Sequence, residues 1–304
     1  MIVKKVFQKS PFRGTHGHMN KTKKQIAEDL KLIDVVVEIL DARIPKSSQN
    51  PELQELIKNK NKIIVLNKSD LSDEKTNQKW LQYFKKQNIT ALLSESNSGK
   101  GINDVISQIR KIAQEENEKT LQKGRAGKKV KVMIVGIPNV GKSSLINRIT
   151  KKNSAKVGNK PGITKQKQWI TIEKNISLLD TPGILWPKLN QEEVALNLAF
   201  TGTIKDEILS KLDIAYYLLK YLLENYNRNL INRYSLDQKE IEDILNNTNN
   251  MENENIMEIM DLIGKKRGAI VSGGKIDREK VANIILEDFR SGKLGKISLE
   301  EPEL

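Results

Sequence analysis

Short apolar runs alternate with amphipathic stretches along the first two thirds of the chain. Four of the runs have the length and the β-branched content of buried strands: Val35–Leu40, Ile63–Leu66, Val130–Val135 and Ile176–Leu179. The run Ile89–Leu93 is strand-like as well. Helical patterns lie around and between them: Lys21–Lys31, Pro51–Lys58, Glu74–Lys86, Ile102–Glu116 and Lys142–Ile149. This alternation predicts an α/β fold with a doubly wound, mostly parallel sheet.

Beyond Glu192 the strand pattern stops. Helices are predicted at Leu196–Thr201, Asp206–Tyr226, Gln238–Leu245, Asn255–Leu262 and Arg278–Phe289. The Asn-rich run 246–254 is typical of a loop, and the polar segment Asn117–Lys129 is typical of a linker between two halves of one sheet. We therefore expect an α/β domain over residues 1–190 and a small all-α domain over residues 205–304.

The composition excludes several kinds of chemistry. The 304 residues include no cysteine, which excludes disulfides, thiolate metal sites and cysteine nucleophiles. The only histidines are His16 and His18, so a histidine-rich metal site is almost excluded as well. No apolar run approaches the ~20 residues of a membrane span, and we expect a cytoplasmic monomer without a membrane partner.

The charge is unevenly distributed. The net charge is +14, yet residues 205–304 carry 15 Lys/Arg against 19 Asp/Glu, a net of −4. The preceding part therefore carries 37 basic and 19 acidic residues, a net of +18. A lysine-rich solvated surface is one explanation, and contact with a polyanion is the better one.

A glycine-rich loop follows the strand Val130–Val135 and opens a helix. Gly136-Ile-Pro-Asn-Val-Gly-Lys-Ser143 satisfies the phosphate-loop pattern G-x-x-x-x-G-K-[ST] in the context that gives the pattern meaning. Backbone N–H groups and the helix N-terminus would hold the phosphates, the lysine would reach the β/γ-phosphates, and Ser143 would ligate Mg²⁺. The expected nucleotide contacts here are Asn139, Val140, Gly141, Lys142, Ser143 and Ser144.

A second motif indicates the base. Asn67-Lys-Ser-Asp70 ends the strand Ile63–Leu66, where a carboxylate can accept two hydrogen bonds from the N1–H and N2–H₂ edge of guanine. Adenine would leave Asp70 without these bonds, which opposes an ATPase. Asn67 would contact the other purine edge and Lys68 would pack over the ring. Ser94 is either a further base contact or a plain loop serine.

The motifs stand in an unusual order. Asp180-Thr-Pro-Gly183 follows the strand Ile176–Leu179 and offers an aspartate for the Mg²⁺ shell and a glycine N–H for the γ-phosphate. Thr164 precedes it, where a loop can bring a hydroxyl to Mg²⁺. Ordinary GTPases place N-K-x-D last, whereas here it comes first. The order indicates a circular permutation, which the sheet tolerates because its ligand loops gather at one edge regardless of chain order.

The chain resembles the YlqF/RbgA family of circularly permuted ribosome-assembly GTPases over nearly its whole length. Beside the nucleotide motifs, the shared segments are Gly17-His-Met, Leu32-Ile-Asp, Asp41-Ala-Arg-Ile-Pro45, Pro161-Gly-Ile-Thr164, Lys265-Lys-Arg-Gly268 and Ser272-Gly-Gly274. The resemblance implies a permuted phosphate-loop GTPase domain followed by a helical rRNA- or ribosome-binding domain. It also implies a bacterial protein that is stimulated by the large ribosomal subunit and acts late in its maturation.

Hydrolysis needs a polar group that the usual position does not supply. Ile184 stands directly after Gly183, where Ras-type GTPases use a glutamine to orient water. In the family a histidine near the N-terminus is the proposed substitute, and the resemblance places it at His18, although Gly14-Thr-His16 departs from the family's rigid aromatic run. Asn139 is either a loop-capping residue or, as in related GTPases, a ligand of K⁺ beside the phosphates.

Two basic islands, Lys265-Lys-Arg267 and Arg290–Lys296, stand out in the otherwise acidic region 205–304. With glycines nearby, they are suited to follow an RNA backbone, or they are solvated surface. The candidate RNA contacts are Lys265, Lys266, Arg267, Lys293 and Lys296. The predicted function is GTP-dependent assembly of the large subunit, with GTP or GDP, Mg²⁺ and rRNA as partners. The alternative is a nucleotide-gated RNA-docking module with turnover too slow to count as an enzyme.

Overall fold

The computed structural model of the chain describes residues 24–124, 126–151, 168–180, 191–204, 210–246 and 252–303. These residues form two compact units. One contains 24–180 and takes in 298–303 as well, while the other contains 191–297. The sequence assigned residues 298–303 to the helical domain, whereas the structure packs them on the sheet unit.

The sheet unit is built on a mostly parallel sheet with the order β3–β2–β1–β4–β6–β5. All neighbouring strands in it are parallel except β5 and β6, which are antiparallel. This confirms the predicted doubly wound fold class. The strands are β1 (Val35–Asp41), β2 (Asn61–Asn67), β3 (Thr90–Ser94), β4 (Val130–Val135), β5 (Gln168–Glu173) and β6 (Ile176–Asp180).

Strand β5 was missed by the sequence analysis. Its alternating pattern, Gln-Trp-Ile-Thr-Ile-Glu, is that of a half-buried edge strand and not of the continuous apolar runs that mark central parallel strands. Trp169 is 44% exposed on this edge, and the ammonium of Lys131 lies 5.4 Å from its ring centroid.

Helices cover this sheet, and one extends well beyond its predicted end. A helical segment at residues 24–30 precedes β1, and the later helices of this unit are α1 (Pro51–Ile57), α2 (Glu74–Lys86), α3 (Ile102–Gln122) and α4 (Lys142–Lys151). Helix α3 continues into the segment that the sequence marked as a linker. The apolar face of α3 ends near Ala113, and the remaining turns consist mostly of Glu, Lys, Gln and Asn. These residues favour a helix by their intrinsic propensity, so the helix continues although its last turns do not pack on the core.

The parallel strands bring the candidate loops to one edge of the sheet. In the strand register Asp41 lies beside Asn67, and Asn67 lies beside Ser94. On the other side of β1, β4 leads into the phosphate loop, and the last residue of β6, Asp180, is paired with Ile134. The carboxyl ends of five neighbouring strands therefore meet where a nucleotide would bind.

One charged residue is buried in the central strand. Glu38 is 1% exposed in β1, and its carboxylate accepts a hydrogen bond from the side-chain nitrogen of Gln54. The ammonium of Lys62 lies 3.9 Å away. Burial raises the pKa of Glu38 to about 7, against the opposing effects of Lys62 and Gln54.

The second unit is helical throughout its described elements. They are α5 (Glu192–Phe200), α6 (Lys211–Asn225), α7 (Asn227–Tyr234), α8 (Gln238–Leu245), α9 (Glu252–Lys266) and α10 (Arg278–Arg290). Helix α7 was not predicted, and α9 is longer than predicted at both ends. Arg233 clamps the buried carboxylate of Asp288 with two bonds of 2.9 Å, which ties α7 to α10. In neither unit is a described helix long and apolar enough to cross a membrane.

Candidate functional site

The phosphate loop has a curled backbone that places its lysine inward. Asn139 and Gly141 both adopt positive φ, at 62° and 101°. The ammonium of Lys142 donates to the carbonyls of Gly136 at 3.0 Å and Ile137 at 2.8 Å and is largely buried. Ser143, the next residue of α4, is exposed. The loop thus holds a positive charge beneath a helix N-terminus, the arrangement that binds a phosphate chain.

Asn67 joins three loops of the site: the loop of residues 67–70 after β2, which we call the base loop, the phosphate loop, and the loop that follows β3. Its side-chain nitrogen donates to the carbonyl of Val140 at 2.7 Å. Its side-chain oxygen accepts from the Ser94 hydroxyl at 3.0 Å, and from the N–H and hydroxyl of Ser96 at 3.0 Å and 2.8 Å. Because Asn67 is 2% exposed, these bonds are shielded from water and fix the base loop against the phosphate loop.

The same amide explains a glycine of the phosphate loop. A Cβ atom built at Gly141 would lie 2.2 Å from the side-chain nitrogen of Asn67, far inside contact distance. The positive φ of Gly141 adds a backbone reason for the same choice. Only glycine therefore lets the two loops approach closely enough for the bond from Asn67 to Val140.

Lys68 is anchored by a buried carboxylate. Its ammonium lies 2.9 Å from Oδ2 of Asp41, which also accepts from Arg43 at 2.8 Å, while Oδ1 accepts from Nε of Arg43 at 3.0 Å. Burial by itself would raise the pKa of Asp41, but the positive charges of Arg43 and Lys68 hold it well below its usual range. Since the ammonium is held by Asp41, the four-carbon stem of Lys68 is the part that can pack on a base.

Asp70 stands at the exposed end of the base loop. Just before it, the N–H and hydroxyl of Ser69 each donate to the carbonyl of Ser94 at 3.2 Å, which fixes the loop. The carboxylate of Asp70 itself is exposed, as a group must be if it is to receive the edge of a base. The buried hydroxyl of Ser94 donates to Asn67, which supports a positioning role, and its base contact stays a prediction.

Residues suited to Mg²⁺ lie at the phosphate side. Ser143 presents an exposed hydroxyl directly after the buried lysine, and β6 ends at Asp180 in register with β4. Hydroxyl and carboxylate oxygens are the ligands that Mg²⁺ prefers, so the donor set fits the ion that P-loop GTPases use. The remaining predicted residues, His18, Thr164 and Gly183, lie outside the described part of the chain.

The candidate RNA contacts divide into two groups. Lys265, Lys266, Lys293 and Lys296 are exposed. Arg267 differs, because its guanidinium packs 5.1 Å from the ring centroid of Tyr234 and donates to the carbonyl of Arg233. These contacts hold Arg267 against the end of α7 within the helical unit, and its RNA contact stays a prediction.

Sequence reasoning missed several residues that hold the site together. Asp41 entered only as part of a family motif, and its partnership with Lys68 depends on the strand register. Ser96 and Arg148 were overlooked, although Arg148 of α4 donates to the carbonyls of Ser96 at 3.1 Å and of Asn97. The serine two positions after Ser94 was the available signal, whereas nothing in the sequence pointed to Arg148.

A phosphate loop, a guanine-type base loop joined to it by Asn67, and a chain order that places the base loop first define a circularly permuted P-loop GTPase. The chain is 44% identical to ribosome biogenesis GTPase A of Bacillus licheniformis over 94% of this chain and 97% of that protein, and 31% identical to the Thermotoga maritima protein of the same name over 94% and 93%. The chain belongs to the family of ribosome biogenesis GTPase A (YlqF/RbgA), as its motifs indicated.

Comparison with a family model and with solved structures agrees with this assignment. The model described as 50S ribosome-binding GTPase matches residues 131–262, beginning in the strand that leads to the phosphate loop and leaving out the base loop. GDP-bound TM YlqF covers 92% of this chain and 100% of its own at 26% identity, with a TM-score of 0.64. GNP-bound YlqF from T. maritima covers 93% and 99% at the same identity, with a TM-score of 0.63. The predicted class, a GTP-hydrolysing ribosome assembly factor, is confirmed.

Proposed function

We propose that this protein binds and hydrolyses GTP during late assembly of the bacterial large ribosomal subunit, in the cytoplasm, and that the subunit stimulates its hydrolysis. The observation that carries the proposal is the bond from Asn67 to Val140, which holds a base loop ending in Asp70 against a phosphate loop containing Lys142. The names of the relatives, ribosome biogenesis GTPase A, and the 50S ribosome-binding description of the family model support the partner.

The residues divide the work of hydrolysis between them. Lys142 stabilises charge on the β- and γ-phosphates, and Ser143, Thr164 and Asp180 are the residues that would hold Mg²⁺. Mg²⁺, when bound, neutralises charge that develops between the β- and γ-phosphates. Gly183 would donate its N–H to the γ-phosphate. Because Ile184 cannot hydrogen-bond to water, we propose His18 as the polar group that orients the attacking water.

This assignment predicts slow hydrolysis by the isolated protein and faster hydrolysis on the ribosome. GTP turnover measured with and without large-subunit precursors tests it, and faster turnover with the precursors is expected. Turnover that stays negligible with precursors would favour the alternative, a nucleotide-gated docking module, for which Ile184 is the main argument. Co-sedimentation with large subunits in GDP and in a non-hydrolysable GTP analogue then tests the switch, because equal binding in both would contradict it.

Potassium is a second proposed cofactor, at Asn139. This residue is exposed in the phosphate loop and adopts a left-handed backbone conformation that asparagine tolerates better than most residues. A monovalent cation held there would supply the charge that an arginine finger supplies elsewhere. Hydrolysis is expected to be faster in KCl than in NaCl at equal ionic strength, and equal rates would contradict the role of K⁺.

We propose that rRNA contacts the exposed lysines Lys265, Lys266, Lys293 and Lys296. Phosphate contacts of this kind release counterions, so binding should weaken steeply as salt rises. The double variant Lys265→Ala and Lys266→Ala is expected to have lower RNA affinity. The slope of the logarithm of affinity against the logarithm of salt concentration should become shallower by roughly one to two. The control is Lys239→Ala, which removes an exposed lysine of α8 outside both basic islands and is expected to leave the slope unchanged.

A further inference from the structure

The last residues of the chain bridge two loops that flank the base site. We call Ser298–Glu303 the tail segment. The N–H of Leu299 donates to the carbonyl of Arg43 at 2.9 Å, in the loop that follows β1. On its other side, the tail accepts from the N–H of Asp73 at 3.1 Å, through Ser298, and from the indole of Trp80 at 3.2 Å, through the carbonyl of Glu300. Asp73 follows the base loop by three residues and caps α2.

Glu300 makes the most specific of these contacts. One oxygen of its carboxylate accepts from the N–H of Lys46 at 2.7 Å, and the other accepts from the N–H of Ser47 at 3.0 Å and from the Ser47 hydroxyl. Two consecutive backbone N–H groups form a concave site suited to an anion. Glu300 thus joins residues more than 250 positions apart and holds the loop after β1 by its backbone.

The loop after β1 is connected to Lys68 through Asp41. The hydroxyl of Ser48, next to Ser47, accepts from the N–H of Asp41 at 3.2 Å and donates to the carbonyl of Ile44 at 2.7 Å. The carboxylate of Asp41 in turn holds the ammonium of Lys68 at 2.9 Å. Glu300 is therefore connected to the lysine of the base loop by hydrogen bonds at Ser47, at Ser48 and at Asp41, with the covalent link from Ser47 to Ser48 completing the path.

We propose that Glu300 is a positioning residue for guanine-nucleotide binding, which acts through the loop after β1 and Asp41 on the placement of Lys68. This rests on the proposed function, since Lys68 matters here as a base contact. The role differs from simple packing of the tail. It predicts an effect on nucleotide affinity that depends on Lys68, with little effect on the rate of the chemical step at saturating GTP.

The test compares the full chain with Glu300→Ala in direct titrations with fluorescent GDP and in steady-state GTP hydrolysis. We expect Glu300→Ala to raise the Kd for GDP and the KM for GTP about three- to tenfold, as for the loss of one to two hydrogen bonds, with kcat within about twofold. Glu300→Gln keeps one good acceptor oxygen and should give a smaller rise. The matched control is Glu303→Ala, which removes a carboxylate of the same segment that is 97% exposed.

A double-mutant cycle separates positioning from general destabilisation. In a Lys68→Ala background, Glu300→Ala should change the Kd for GDP by less than about twofold, because the group on which Glu300 acts is gone. Thermal unfolding of each variant shows that it folds, and Glu300→Gln serves if the alanine variant does not. Wild-type affinity for GDP in folded Glu300 variants would overturn this inference and leave the proposed function standing. The same holds if Glu300→Ala raises the Kd equally in the wild-type and Lys68→Ala backgrounds. A wild-type chain that does not bind GDP would overturn the proposed function and this inference with it.

Discussion

The side-chain nitrogen of Asn67 lies 2.7 Å from the carbonyl oxygen of Val140, a residue 73 positions further along the chain. The bond joins the loop that would receive the base to the loop that would receive the phosphates. It is buried, and the oxygen of the same amide is held by Ser94 and Ser96. One asparagine therefore links the two halves of a nucleotide site directly.

Asn67→Ala should weaken nucleotide binding because both loops lose this common partner. We expect the Kd for GDP to rise about 10- to 100-fold, equivalent to ~1–3 kcal/mol for buried polar groups left without partners. Ser94→Ala removes one of the three bonds to the amide oxygen and should cost about two- to fivefold. Isothermal titration calorimetry measures both, and an effect of Ser94→Ala as large as that of Asn67→Ala would contradict the central role of the amide.

Gly141→Ala should abolish nucleotide binding by displacing Asn67. The added Cβ would lie 2.2 Å from the amide nitrogen, in a backbone conformation that already disfavours a side chain. The matched control is Gly124→Ala, where φ is +68° and no atom lies within 4 Å of the new Cβ. The control should lose about 1 kcal/mol of stability through backbone strain and keep its GDP affinity. Equal GDP affinity of the two variants would show that the close approach at Gly141 is unimportant.

Asp70→Asn should change the preferred base. An asparagine amide can donate to the C2 carbonyl of xanthine, whereas it cannot accept both hydrogen bonds from the N1–H and N2–H₂ edge of guanine. We expect the Kd for GDP to rise by at least about 100-fold and the Kd for XDP to fall, in line with the loss of paired polar contacts in a specific site. Competition titrations with GDP, XDP and ADP measure the change. Tight ADP binding by the wild type would instead support an ATPase.

The buried carboxyl of Glu38 should make stability depend on pH. The pKa of Glu38 is about 7 in the folded protein and near 4.5 in the unfolded chain. Between these pH values the folded state holds a proton that the unfolded state has released. The free energy of unfolding should therefore decrease as pH rises from about 4.5 to 7, by up to about 3 kcal/mol.

Glu38→Gln removes this titration. The variant should match the wild type near pH 4.5 and be more stable by about 1–3 kcal/mol at pH 8, where the wild type must bury a charge. Urea unfolding at several pH values measures the difference. Glu55→Gln, at a carboxylate that is 77% exposed, is the control and should leave the profile unchanged. Parallel profiles of wild type and Glu38→Gln would contradict the effect.

Local pattern was sufficient for the central elements and insufficient at their edges. Helix α2 begins at Glu74 and ends at Lys86, as predicted, because a capping aspartate, an amphipathic face and a lysine-rich last turn all agree. Strand β5 was missed because an edge strand has only one face to bury. The extension of α3 to Gln122 was missed because the polar residues that continue it also suit a linker.

The sequence by itself determined the class of this protein, since the phosphate loop, Asn67-Lys-Ser-Asp70 and their order along the chain are local patterns with a direct chemical meaning. Only the tertiary structure decided which residues hold these patterns in place. The contacts of Asp41 with Lys68, of Asn67 with Val140, and of Glu300 with Ser47 join residues between 27 and 253 positions apart. Contacts over such separations depend on the strand register and on the packing of residues 298–303 against the sheet unit, and no local pattern of residues encodes either.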